Sequence, residues 1–200
     1  MAARPIIAVD IDDVLADHAA GFVEFSNKRW DTHLTVDDYD EHWAHMWQID
    51  NDETEIRAKE FHESGTVGGY DHKSHALPVL DALSERFKLI IITSRRAQVE
   101  KETRAWLAER YPGIFSEVHF SGIWDTIEEG THLATKADVC RSLGVDYLID
   151  DQVKHCVAAA ECGTKSLLFG DYAWNRTAEL ADGVTRVKDW NMVKRYFEGR

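Results

Sequence analysis

The sequence predicts an α/β chain built on a doubly wound parallel sheet, with a small helical insert after the first strand. Short apolar runs rich in β-branched residues recur along it, and each stops abruptly in polar or charged residues, as strands buried on both faces do. Segments with helical spacing alternate with those runs, which is the order of βαβ units. Residues 31 to 75 break the alternation, because they contain no β-branched run at all.

The first strand is Ile6 to Val9, four apolar residues that end at Asp10-Ile11-Asp12-Asp13. A helix from Asp17 to Trp30 follows, with Phe22, Val23 and Phe25 on or near its apolar face. Thr35-Val36-Asp37-Asp38 has the form of a capping box with an acid in place of the usual Glu, and Asp52 to Glu55 offers a second start signal. Two short helices are therefore expected, Asp37 to Trp47 and Asp52 to Glu63. Gly65, Gly68 and Gly69 are hinge or plain loop glycines before the chain returns to the core.

From there the βα order resumes. Pro78 suits the first turn of a helix over 75–87, whose stripe of Val79, Leu80, Leu83 and Phe87 faces the core. The second strand, Lys88 to Ile92, ends in Thr93-Ser94-Arg95-Arg96. A helix from Ala97 to Tyr111 leads to a third strand, Glu117 to Phe120, and a polar loop. Lys136 opens a helix over Ala134 to Leu143, and the fourth strand, Tyr147 to Ile149, ends in Asp150-Asp151. Lys165 to Phe169 is the fifth strand and Asp189 to Phe197 the closing helix. This divides the chain into a core of residues 1–17 and 76–200 and a cap of residues 18–75.

The strand ends carry the chemistry. In open α/β sheets ligands bind at the carboxyl ends of the strands, where Asp10, Asp12, Thr93 and Asp150 all fall. Several carboxylates in one small site repel one another unless a cation neutralises them, and hard oxygen ligands beside a phosphate suit Mg²⁺. One acidic cluster alone reads equally well as a solvated turn. Two such clusters from distant parts of the chain do not. Hydroxyl and guanidinium groups after the second strand suit phosphate oxygens.

Asp10-Ile11-Asp12-Asp13-Val14, Thr93, Lys136 and Asp150-Asp151 resemble, in order, the four motifs of the haloacid dehalogenase (HAD) superfamily of aspartyl-phosphate phosphotransferases. The fuller strings Asp12-Asp13-Val14-Leu15-Ala16-Asp17, Thr93-Ser94, Leu148-Ile149-Asp150-Asp151 and Asn175-Arg176 are similar to the 5′(3′)-deoxyribonucleotidases. The chain departs from that family at Asp13, where Gly is usual but Asp tolerates the same turn, and at His18, where an aromatic is common.

The resemblance implies a five-stranded HAD-like Rossmannoid sheet ordered five-four-one-two-three, with a helical cap over the strand ends. It makes Asp10 the nucleophile. Asp12 becomes the general acid and then the base for water, which requires a neutral form reachable near neutral pH. Mg²⁺ is held by Asp10, Asp150 and the backbone carbonyl of Asp12, with Asp151 orienting a metal-bound water. Thr93, Ser94 and Lys136 hold phosphate oxygens, and Asn175 and Arg176 pin the loop after the last strand. His18, Trp43, Trp47 and Arg95 are candidates for the rest of the substrate, since flat rings suit a nucleobase. A small helical pair also needs large rings simply to make a core.

Composition bounds the function. Two hundred residues with 44% hydrophobic content make one domain, or a core plus an insert. A net charge of −13 opposes polymeric nucleic acid as a partner but allows a mononucleotide held by a cation. The three cysteines have no Cys-x-x-Cys spacing and read as reduced thiols. His42 and His45 share a helix face without a third ligand and are read as surface residues, so zinc is not expected. The start of the chain has no signal-peptide core and no stretch of membrane-spanning length, which predicts a cytoplasmic protein. A homodimer is compatible with all of this. The expected function is a Mg²⁺-dependent phosphatase for a 5′- or 3′-(deoxy)nucleoside monophosphate. The alternatives are a phosphatase for a non-nucleotide metabolite and a non-catalytic protein that binds metal and phosphate.

Overall fold

The computed structural model describes residues 4–121 and 134–198. Its sheet contains the five expected strands and one more, all parallel: β1 (Ile6–Val9), β2 (Lys88–Thr93), β3 (Glu117–Phe120), β4 (Tyr147–Asp150), β5 (Lys165–Phe169) and β6 (Val184–Val187). The order is β3-β2-β1-β4-β5-β6, so the predicted sequence of five stands and β6 extends it at one edge. β6 escapes a periodicity argument because Thr185 is exposed and Arg186 interrupts the apolar run. The interior strands are continuous apolar runs because helices cover both faces, and Ile7, Ala8 and Val9 are fully buried.

Between β1 and β2 lie α1 (His18–Trp30), a 3₁₀ turn at Val36–Asp38, α2 (Trp43–Trp47), α3 (Asn51–Glu63), a second 3₁₀ turn at Thr66–Gly69 and α4 (Ala76–Ser84). The capping box at Thr35 forms as expected, with both Thr35 groups donating to Asp38. The helix expected from Asp37 to Trp47 does not continue past it. The Asp40 carboxylate accepts the His42 backbone N–H at 2.7 Å, and that local bond replaces a helical one. Helix therefore resumes only at Trp43.

The remaining helices are α5 (Glu100–Arg110), preceded by a 3₁₀ turn, then α6 (Lys136–Leu143), α7 (Val153–Glu161) and α8 (Trp190–Glu198). The helix expected from Ala97 thus divides into a 3₁₀ turn and α5, and the polar loop before α6 lies mostly outside the described residues. Three buried aromatics from the core helices and their ends fix the segments that carry the acids. Trp190 donates to the Val14 carbonyl at 2.9 Å, Tyr111 to that of Leu15 at 3.0 Å, and Trp106 to that of Tyr70 at 2.9 Å. Each ring fills space in the core and binds a buried carbonyl; that of Leu15 also accepts from Lys73 N–H at 2.8 Å.

Among the residues between β1 and β2, an aromatic cluster does the packing. Phe22 is fully buried, with Trp43 at 4.6 Å, Phe61 at 4.7 Å and Trp47 stacked at 5.3 Å between ring centroids. No helix among the described residues is long and apolar enough to cross a membrane.

Candidate active site

The end of β1 runs directly into the site. Asp10 is 4% exposed, and its backbone N–H is held by the Ile149 carbonyl at 2.9 Å. The chain then folds on itself, with Leu15 and Ala16 donating to the Ile11 carbonyl and Asp13 to Ala16. The turn needs a left-handed residue at Asp13, with φ 56°, a conformation that Gly adopts freely and Asp tolerates. The Asp13 carboxylate accepts from Ala19 N–H at 3.1 Å, fastening the start of α1. Burial pushes Asp13 up to about 7, against the pull of Lys73.

Lys136 enters from the first turn of α6. It is 1% exposed, with Nζ 2.8 Å from Asp10 Oδ1 and 2.7 Å from Asp150 Oδ2. Burial would lower its pKa, but the two carboxylates more than reverse that and raise it. Burial drives Asp10 up to about 7; Lys136 opposes this, while Asp150 and Asp12 add to it. Burial also raises Asp150, but Lys136 and His155 prevail and hold it below the usual carboxylate range. Asp151, 3% exposed, lies well above that range because of burial and the charges of Asp150, Asp10 and Asp13.

These acids converge. Carboxylate oxygens of Asp10, Asp150 and Asp151 lie within 4.8 Å of one another, all three residues buried. Asp10 Oδ1 is close to Lys136 but buried without a hydrogen bond of usable direction. Three hard carboxylate donors, one of them with an oxygen that no hydrogen bond satisfies, fit a small divalent cation.

Asp12 faces the other way. Arg95 grips it with Nη2 at 2.7 Å and Nε at 3.1 Å, while Nη1 of the same guanidinium reaches Thr103. Burial alone would raise Asp12, but Arg95 overrides it and holds the carboxyl down to about 2. This arrangement keeps Asp12 ionised, the opposite of the protonation state that a general acid needs, because an ion pair with a buried guanidinium stabilises the charge. Arg95 is thereby committed to Asp12 and Thr103; both Arg95 and Arg96 line the cavity, and Arg96 has no ion pair among the described residues.

A cavity of about 390 Å³ opens above these groups, within the range that holds small ligands. Asp10, Asp12, Ser94 and Lys136 line its floor, and Trp43, His62 and Arg96 its upper wall. Thr93 lies beneath the floor, fully buried, its hydroxyl accepting from the Arg95 N–H at 3.2 Å. His18 reaches the cavity with both ring nitrogens already engaged, by Tyr70 and Tyr39 at 3.0 Å each. His42 and His45, expected on the open surface, are exposed but border the cavity.

Trp47, expected beside the substrate with Trp43, instead points inward. It is 7% exposed, stacks on Phe22 and donates to Ser26 at 3.3 Å. Asn175 holds the loop after β5 as expected, donating to the carbonyls of Asp151 and Phe169 at 2.9 Å each. Arg176 is exposed and reaches Asp37 at 3.5 Å. Sequence reasoning missed Tyr39, His62, His155 and Trp174, which reach the site or its acids. Only Trp174 carried a signal, its place beside Asn175 after the last predicted strand.

Comparison with known proteins agrees with this geometry. A family model described as 5′ nucleotidase, deoxy (Pyrimidine), cytosolic type C protein matches residues 4–197. No curated protein matches the sequence. A haloacid dehalogenase-like hydrolase from Streptococcus pneumoniae has a similar structure, with a TM-score of 0.71, 14% identity, and 98% of this chain and 100% of that chain covered. A predicted phosphatase from Clostridium acetobutylicum gives a TM-score of 0.71 at 13% identity, with both chains fully covered. A D,D-heptose 1,7-bisphosphate phosphatase from B. bronchiseptica, complexed with magnesium and phosphate, gives 0.60 at 12% identity over 98% of each chain.

Proposed function

Since the chain belongs to the family of deoxy (pyrimidine) cytosolic type C 5′-nucleotidases and is a HAD-type phosphoric monoester hydrolase, we propose that it hydrolyses a 5′- or 3′-(deoxy)nucleoside monophosphate with Mg²⁺. The observation that carries this reading is the convergence of Asp10, Asp150 and Asp151 beside Lys136, at the base of a partly open cavity of small-ligand size that Asp10, Asp151 and Lys136 line. A cation is part of the reading because a phosphate dianion cannot approach ionised Asp10 without one. The magnesium reported with the B. bronchiseptica phosphatase supports it. When bound among Asp10, Asp150, Asp151 and the Asp12 carbonyl, Mg²⁺ would supply the positive charge that lets carboxylate and phosphate meet.

The chain's own groups do the rest. An Asp10 oxygen attacks phosphorus, the bond to the leaving oxygen breaks, and a proton from Asp12 completes the alcohol. Water then attacks the aspartyl phosphate while Asp12 takes its proton, releasing phosphate and restoring Asp10. As held by Arg95, Asp12 is prepared for the second step; the first requires that contact to loosen so that Asp12 can carry a proton. Lys136 and Ser94 hold the transferring oxygens, with Thr93 supporting the turn below them. Residues 18–75 act as a cap, setting Trp43 and His62 beside Arg96 around the remainder of the substrate.

The test is a hydrolysis panel of nucleoside monophosphates and sugar phosphates with Mg²⁺, run on wild type and Asp10→Asn. Nucleotides should be preferred and the Asn variant should be inactive. A preference for sugar phosphates refutes the substrate; equal activity of the two proteins refutes the nucleophile.

A further inference from the structure

Trp174 has no part in the reaction as described, yet it touches one of the acids. It lies in the loop between β5 and β6, and its indole N–H donates to Asp151 Oδ2 at 2.7 Å. The Gln152 side chain donates to the same oxygen at 2.9 Å. Both donors are neutral. A Lys or Arg there would cancel the charge of Asp151 and compete with any cation, whereas an amide and an indole orient the carboxylate and leave its charge in place.

The indole is itself held from several sides. Tyr172 stacks on it at 4.5 Å and 10°, and Tyr39 meets it edge-on at 5.3 Å. Tyr172 is anchored in turn by its hydroxyl, which donates to the Asp13 carbonyl at 2.6 Å. The stack also explains a glycine. Gly170 has φ 89°, and a Cβ there would fall 2.1 Å from the Tyr172 ring, so the close approach of ring and backbone excludes any side chain. Asn175 fixes the loop backbone against Asp151 itself.

We propose that Trp174 is a positioning residue, whose indole N–H fixes one oxygen of Asp151 so that this carboxylate presents to a divalent cation shared with Asp10 and Asp150. The inference rests on the Mg²⁺ reading above. It assigns the stacked loop a purpose beyond packing: the aromatic support keeps the donor aimed at the acid.

The test is Mg²⁺ binding by titration calorimetry, on wild type and Trp174→Phe, which keeps an aromatic ring for the stack and removes the N–H. The variant should bind Mg²⁺ about 10-fold more weakly, in line with the loss of an outer partner of a ligating group. At saturating Mg²⁺ its kcat and substrate KM should return to within about 2-fold of wild type, a split that a general loss of structure would not give. Equal Mg²⁺ affinity in the two proteins overturns the proposal, as does a kcat that saturating Mg²⁺ fails to restore. Wild-type protein that binds no Mg²⁺ overturns the cation reading along with it. A measurement without any substitution guards against a variant that does not fold. In wild type, one of the seven tryptophan indole N–H resonances should shift as Mg²⁺ is added, and a titration that binds cation with no indole signal moving refutes the assignment.

Discussion

Replacing Lys136 with Met removes a charge from the centre of the site while nearly keeping side-chain volume. Nζ stands 2.8 Å from Asp10 and 2.7 Å from Asp150, and all three residues are 4% exposed or less. Removing one partner of a buried ion pair destabilises by about 3–5 kcal/mol, because the charge left behind has no compensation. Here the loss should depend on pH. Burial already pushes Asp10 up to about 7 against the pull of Lys136, and without that pull the folded-state value rises further. A carboxyl whose folded pKa lies above its unfolded one binds more protons when folded, so its contribution is favourable in acid and is lost as pH rises. Urea denaturation followed by tryptophan fluorescence should therefore find the variant about 3–5 kcal/mol less stable than wild type at pH 8 without Mg²⁺. The gap should be about half that at pH 5.5. Added Mg²⁺ should stabilise the variant more than the wild type, since the cation takes over the missing neutralisation, while hydrolysis falls by about 10²–10³-fold. A variant within about 1 kcal/mol of wild type at both pH values, with an unchanged response to Mg²⁺, would refute the claim that Lys136 neutralises the acids.

Two further perturbations separate the roles of the insert's side chains. Trp47→Ala should cost about 3–5 kcal/mol of unfolding free energy with KM for nucleotide nearly unchanged, because Trp47 is 7% exposed in the aromatic cluster; Trp43→Ala should raise KM several-fold for a smaller loss in the same melt, and the reverse pattern would exchange their assignments. His62 is held down to about 4 by burial, with Arg96 adding to the effect. A depressed basic group contributes stability above its unfolded pKa and loses it as pH falls, so the unfolding free energy should decline between pH 6.5 and 4. His62→Gln should flatten that decline by about 1–2 kcal/mol, and identical pH profiles would show that His62 does not titrate as described.

How far the sequence disclosed the molecule depended on whether a residue's neighbours lay along the chain or across it. Ile6–Val9 was legible because a strand buried on both faces must be apolar throughout, and its end was marked by acids. β6 was not, because Thr185 is exposed on this edge strand and Arg186 turns away to bind the carbonyls of Asn175 and Ala178. The capping box at Thr35 was readable, yet the Asp40 side chain two residues beyond it diverted the helix through a bond that helical periodicity does not encode. Trp43 and Trp47 stand four residues apart and both pack on Phe22, so spacing assigns them one face. Their difference lies in position along that face, one at the cavity wall and the other inside. Arg95 and Arg96 pose the same problem in smaller form. Nothing local says which turns inward, and the Asp12 that decides it is 83 residues away.

The electrostatics of the floor explain why the ordered motifs belong together. Five carboxylates, Asp10, Asp12, Asp13, Asp150 and Asp151, face two cations held among them, Lys136 and Arg95, while Lys73 lies 3.7 Å from Asp13 but 2.5 Å from Asp17. The polypeptide alone therefore leaves the site short of positive charge. The deficit is visible in which acids are raised: Asp12, gripped by Arg95, and Asp150, which shares Lys136 with Asp10, lie low, while Asp10, Asp13 and Asp151 are pushed up by burial. Supplying those charges with further Lys or Arg would fill the space that a phosphate must enter and would pair off the carboxylate that must attack. A divalent cation meets the deficit from a single point and leaves Asp10 an oxygen to react with. The shortage of positive charge at the ends of β1 and β4 is thus the property on which both cation binding and catalysis depend.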